Sequence, residues 1–194
     1  MVDIPKNTPL VYVSFSAEIN PNTAESLIAV MANCANAQTQ RVYLLISTPG
    51  GKVMNGMNLY HVLKGMPFAL ITHNVGNVDS VGNVVFLAGK ERYATSNATF
   101  MFHGVGFDAT QNKRLEEKDC REKLDAILND QTRMGNIIAQ HTNLSGEEIA
   151  DLFREARTKD AGYAVNKGII HDIRDVKITP SCPIISLVFQ RQSV

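Results

Sequence analysis

A chain of 194 residues is long enough for one sizeable core, and its 19 basic residues are matched by 19 acidic ones, leaving no net charge at neutral pH. That balance argues against a nucleic-acid partner or an anionic membrane surface, both of which call for an excess of Lys and Arg. The three scattered cysteines, Cys34, Cys120 and Cys182, form no CxxC pair, which speaks against a thiolate metal cluster and suits a reducing compartment.

In chain order, residues 1–6 lack the basic start and apolar run of a secretory signal, and no later run approaches membrane-spanning length, so the expected location is the cytoplasm. Residues 10–15 read as a first strand, closed by the turn formers Asn20, Pro21 and Asn22. Asn22 with Glu25 predicts a capped helix whose apolar face holds Leu27, Ile28, Met31 and Ala35. Residues 41–47 are apolar almost throughout, the pattern of a strand buried on both faces of a parallel sheet. Thr48-Pro49-Gly50-Gly51 ends that strand, and Val53, Met57, Tyr60 and Leu63 predict a second helix stopping before Gly65. Residues 68–73 are a third strand. Beyond it, Val81, Val84, Val85 and Ala88 recur at helical spacing up to a stop at Gly89.

Residues 92–94 and 98–103 read as two short strands around a Thr95-Ser96-Asn97 turn. Residues 113–142 contain no proline and predict a long helix, charged in its first third, whose polar half projects from the core. Ser145 with Glu148 caps a further helix, and Asp160 starts a short one that Gly168 ends. Residues 169–173 return as a strand, and residues 179–194 read as an extended tail. Strands alternating with helices predict an α/β fold in a single domain spanning residues 1–194.

Three features of this pattern carry chemistry. Ser80 falls at the junction of the third strand and the next helix, in that helix's first turn, where backbone N–H groups and the positive end of the helix dipole favour an alkoxide, although the commonest role of such a serine is a helix cap. The sequence is not the G-x-S-x-G nucleophile turn, because Val78 stands where that pattern has glycine. Gly50 and Gly51 can turn N–H groups outward as an oxyanion hole, with the N–H of Val81 as a second donor. His103, followed by Gly104 and Gly106, can serve Ser80 as general base. A turn at the glycine pair and a satisfied structural histidine are the plainer readings of the same residues.

Taken together, these motifs resemble the ClpP-like serine peptidases within the ClpP/crotonase fold group, over roughly residues 10–173. Residues 41–51 resemble the family's strand followed by Ser-Pro-Gly-Gly, with Thr48 in place of the serine. Residues 75–89 resemble its Gly-x-x-x-Ser-x-Gly nucleophile segment, and residues 97–106 its Asn-Ser-x-x-Met-x-His-x-x-x-Gly segment. The resemblance implies a layered β-α-β superhelix with residues 113–142 as a protruding handle helix through which two heptameric rings stack. It implies Ser80 as nucleophile, His103 as base, and Gly51 and Val81 as oxyanion donors, with neither metal nor organic cofactor. The substrate is then a peptide or unfolded chain, paired as an added strand with the extended backbone after Gly51.

This chain departs from the family pattern at informative places. The triad aspartate aligns with Ala156, leaving Glu155 or Asp151 as possible third members and Asp160 as a helix cap. Asp79 puts an anion directly before the nucleophile, unfavourable to an alkoxide unless its carboxylate points away. The segment between His103 and His141 is a few residues longer than usual. Members that work with an AAA+ unfoldase carry an N-terminal loop and an apolar docking pocket. Here few residues precede the first strand, and of Tyr43 and Leu45 at pocket positions only one is aromatic, which speaks against docking of that ATPase. Two alternatives follow: a catalytically weak or inactive ClpP-like subunit with a structural role in a ring, or a crotonase-type acyl-CoA enzyme.

Overall fold

The computed structural model describes residues 4–107 and 114–189. Strand β1 (Leu10–Ser16) leads into helix α1 (Pro21–Asn36), β2 (Arg41–Thr48) into α2 (Val53–Lys64), and β3 (Ala69–Asp79) into α3 (Gly82–Phe86). Then come β4 (Glu91–Ala94), β5 (Thr99–Met101), α4 (Glu117–His141), α5 (Gly146–Glu155), β6 (Thr158–Asp160), α6 (Ala161–Asn166), β7 (Asp172–Ile173) and β8 (Ile184–Leu187). The sheet runs β6-β5-β3-β2-β1-β8, with β4 beside β3 and β7 beside β4. All these pairs are parallel except β5 with β6.

The apolar runs sit where a parallel sheet needs them. In β2, Val42, Leu44 and Ile46 have no exposed surface, and Phe15, Leu27, Met31, Leu59 and Phe86 pack over the sheet as one core. Each such side chain contributes about 1.5–3 kcal/mol by leaving water. Two of the polar groups taken inside show how they are paired: the Thr72 hydroxyl donates to the Phe86 carbonyl at 2.8 Å, and Asn74 Nδ2 donates to the Thr99 carbonyl at 2.8 Å.

Several elements differ from expectation. The cap of α1 is Asn20, which exchanges hydrogen bonds with Thr23 ahead of Pro21, and not Asn22 with Glu25. Proline at the first helical position lacks only an N–H that would be orphaned anyway, so the helix starts there. The long helix is α4, 25 residues; the expected stretch from residue 113 falls partly outside the described residues. The strand expected at 169–173 shrinks to Asp172–Ile173 because Arg92 holds the preceding chain, its Nε donating to the Ile169 carbonyl at 2.8 Å. The tail is not merely extended: β8 pairs in parallel with β1, Val13 opposite Ile185, and closes that edge of the sheet.

One irregularity positions the candidate site. Along β2 and β3 the pairing slips from Ile46 opposite Asn74 to Thr48 opposite Val78, so β3 gains two residues on its neighbour. The strand expected to stop at His73 therefore continues to Asp79, with β4 along its first part and β5 along its last.

Candidate active site

Ser80 follows the last residue of that lengthened strand. It is not in the first turn of a helix as expected: α3 begins at Gly82 with Val81 as its cap, and Ser80 itself has φ 57°. A left-handed serine costs roughly 1–3 kcal/mol and persists only where surrounding contacts over-determine it. Those contacts are present. Ser80 N–H donates to the Met101 carbonyl at 2.8 Å, and the Ser80 carbonyl accepts from Asn83 N–H at 3.1 Å. Among the described residues the Ser80 hydroxyl has no hydrogen-bond partner, which leaves it available for chemistry.

The Gly50–Gly51 turn lies directly against this serine. A Cβ on Gly50 would fall 2.6 Å from Ser80 Cβ and 3.2 Å from Ser80 Oγ, and Gly50 has φ 87°. Both facts require glycine. A Cβ on Gly51 would fall 2.1 Å from the Ile19 carbonyl oxygen, because Ile19 bridges this turn by donating to Gly50 and accepting from Lys52. Gly50 N–H is engaged by the buried Thr48 hydroxyl oxygen at 3.1 Å. The N–H groups of Gly51 and Val81 have no partner among the described residues. Since α2 starts at Val53, the extended backbone expected after Gly51 for pairing with a substrate is limited to Lys52.

His103 reaches this neighbourhood through β5. The parallel register sets Asp79 opposite Met101, so His103 lies two residues beyond the last pair on its strand and Ser80 one beyond on the other. Its Nδ1 is 2.7 Å from the Gly104 carbonyl oxygen. A carbonyl can only accept, so Nδ1 carries the proton and Nε2 presents a lone pair, the tautomer a general base needs. The Ser80 hydroxyl and the His103 ring make no hydrogen bond with each other.

Among the described residues no side-chain carboxylate is hydrogen-bonded to His103. The antiparallel pairs end at Met101 opposite Thr158, and beyond them Gly104 N–H donates to the Phe153 carbonyl at 2.9 Å, so the segment carrying Ala156 runs alongside the one carrying His103. Ala156 ends α5 in the left-handed conformation, φ 51° and ψ 37°. Asp151 pairs with Arg154 at 2.8 Å and Glu155 with Lys159 at 3.7 Å, while Asp160 caps α6 through Tyr163 N–H. The Asp79 carboxylate is held on Asn77, whose Nδ2 donates to its Oδ2 at 2.6 Å, and Asn77 also bonds Ser47 and the Thr48 carbonyl.

Sequence reading passed over Asn83 and Asn77. Asn83 had a visible signal, a lone amide inside an otherwise apolar run, whereas the role of Asn77 depends on the slipped register. Burial pushes the Tyr43 hydroxyl up to about 12 and pulls His73 below its usual value. Beside Gly104 a cavity of about 630 Å³ opens between α4 and α5, lined by Gln131, Gly135, Ile149 and Phe153. Among the described residues no three metal-ligating side chains gather, and no helix is long and apolar enough to cross a membrane.

Comparison with known proteins meets this geometry. The chain is 28% identical over 165 residues to ATP-dependent Clp protease proteolytic subunit 1 of Leifsonia xyli subsp. xyli, covering 82% of this chain and 80% of that one. It is 27% identical over 168 residues to proteolytic subunit 2 of Corynebacterium diphtheriae, covering 83% and 80%. Among solved structures, a ClpP1 mutant from Listeria monocytogenes superposes with a TM-score of 0.75 at 20% identity, over 86% of this chain and 92% of that one, which shows the shared α/β fold. The family model described as Clp protease matches residues 10–177, nearly the whole described fold from β1 through β7, and the chain therefore belongs to the Clp protease family.

Proposed function

We propose that this chain is a serine endopeptidase subunit that cleaves peptides or unfolded chains through an acyl-enzyme on Ser80. The observation that carries this reading is the strained Ser80 turn, with its hydroxyl unpartnered, laid against Gly50 and Gly51. Ser80 Oγ attacks the scissile carbonyl carbon while Nε2 of His103 takes its proton, and the oxyanion is met by the N–H groups of Gly51 and Val81. His103 then returns the proton to the leaving amine, and water, deprotonated by the same ring, releases the acid. The Gly104 carbonyl does part of what a triad carboxylate does: it holds the tautomer, but supplies no full charge to the imidazolium. Since Ser80 and His103 are not yet hydrogen-bonded, substrate binding or assembly has to close that pair.

Assembly into a ring chamber of identical subunits, stacked through α4, belongs to the same reading. Its support is the exposure of Leu124 and Leu128, 54% and 52%, on the outer half of that helix. Docking of an AAA+ unfoldase at Tyr43 and Leu45 is not part of it. Leu45 is buried and Tyr43 is taken up by the His73 ring at 2.8 Å. A second reading, a weak or inactive subunit with a structural role, is favoured by Ala156.

A fluorophosphonate probe decides between them. The peptidase reading expects a covalent adduct at Ser80 that Ser80→Ala abolishes. A well-folded assembly that takes up no probe supports the structural subunit.

A further inference from the structure

Asn83 is 1% exposed, on the first turn of α3, surrounded by Val81, Val84, Val85 and Phe86, all buried. Its Nδ2 donates to two carbonyls at once, Ser80 at 3.1 Å and Met101 at 2.9 Å. Its Oδ1 is buried and has no partner among the described residues. An unpaired buried amide oxygen is costly, and an apolar side chain of the same shape would avoid that cost. Nor are the two carbonyls in need of the side chain: Met101 already accepts from Ser80 N–H at 2.8 Å, and Ser80 from the backbone N–H of residue 83 at 3.1 Å. Stability therefore does not account for an amide here.

Geometry does. The Ser80 carbonyl belongs to the left-handed turn that aims the hydroxyl at Gly50, and Met101 stands two residues before His103. We propose that Asn83 is a positioning residue: its amide staples the Ser80 turn to the strand end that carries His103, so that nucleophile and base keep a fixed relation. This rests on the peptidase reading above. The amide never touches the substrate. It acts by limiting how far two backbone segments can drift, and misplacement of the order of 1 Å costs up to about 10²-fold in rate.

The test is Asn83→Leu, close in shape, which removes the orphan oxygen and leaves each carbonyl one backbone donor. The expected melting temperature stays within about 3 °C of the unaltered protein. Fluorophosphonate labelling of Ser80 is expected to slow about tenfold in its maximal rate, with the probe's half-saturation unchanged within about twofold. A purely structural amide predicts labelling that follows stability and so does not move. Crystal structures of both forms give an arm independent of catalysis. The proposal expects Ser80 to leave its left-handed conformation or its hydroxyl to shift away from Gly50 in the variant. Equal labelling rates, or superposable Ser80 and His103 in the two crystals, overturn it. If the unaltered protein takes up no probe, the peptidase reading fails by itself, and the crystals still decide whether Asn83 holds the turn.

Discussion

Ala156, at the position the family resemblance gives to the triad aspartate, sits in a backbone conformation that aspartate and asparagine enter more readily than alanine does. Ala156→Asp is therefore expected to fold normally. On the proposed chemistry it adds the charge that the Gly104 carbonyl lacks and raises peptide hydrolysis at least about tenfold, a small part of the roughly 10⁴ a triad aspartate supplies elsewhere. Steady-state hydrolysis of short fluorogenic peptides checks this, and an unchanged rate would mean that the carbonyl already orients the ring fully. Asp79 makes the complementary point. Its charge looked hostile to Ser80 in the one-dimensional chain, yet alternation along β3 and the Asn77 amide turn it aside. Asn77→Ala frees that carboxylate beside the nucleophile, and the rate of fluorophosphonate labelling is expected to fall.

At the level of elements, the Gly50–Gly51 turn is where backbone and chemistry are least separable. Gly50→Ala forces a Cβ to within 2.7 Å of the Asp79 carbonyl oxygen at a φ of 87°. The expected outcome is a loss of roughly 1–3 kcal/mol in urea unfolding together with loss of probe labelling. Strand β8 is legible only as an apolar stretch: residues 184–189 alternate weakly, and nothing in them says which edge they join. Truncation after residue 179 uncovers the paired edge of β1, and light scattering is expected to show association of the shortened chain. The α5 cap behaves differently. Ser145 and Glu148 announce it in sequence, and both reciprocal hydrogen bonds form as read.

Across the whole molecule, burial lowers the pKa of three histidines. His73 accepts from the Tyr43 hydroxyl and donates to the Arg174 carbonyl, His171 accepts from Arg92 N–H, and His141 meets the Tyr60 hydroxyl. Desolvation leads the causes that hold each below the ordinary 6.5; at His73 the hydrogen bond to the Arg174 carbonyl opposes it and the Arg174 charge adds to it, at His141 the charges of Lys64 and then Arg92 add to it, and at His171 that of Arg92 does. The unfolded chain then binds more protons than the native one below that value, so stability is fully present above about pH 6.5 and declines as the pH falls through it. Urea midpoints measured from pH 7.5 down to 5 are expected to show the decline, and His73→Asn to flatten part of it. The sequence alone determined the α/β class, the alternation of strands and helices from β1 through α3, and a serine, a histidine and a glycine pair as the candidates for chemistry, because apolar periodicity, turn formers and motif spacing are local properties of a chain. The left-handed serine, its staple to β5, the Asn77 bond to Asp79 and the β8 edge were decided by tertiary structure, because each depends on which strand lies beside which and in what register, and a two-residue slip is invisible until the sheet is assembled.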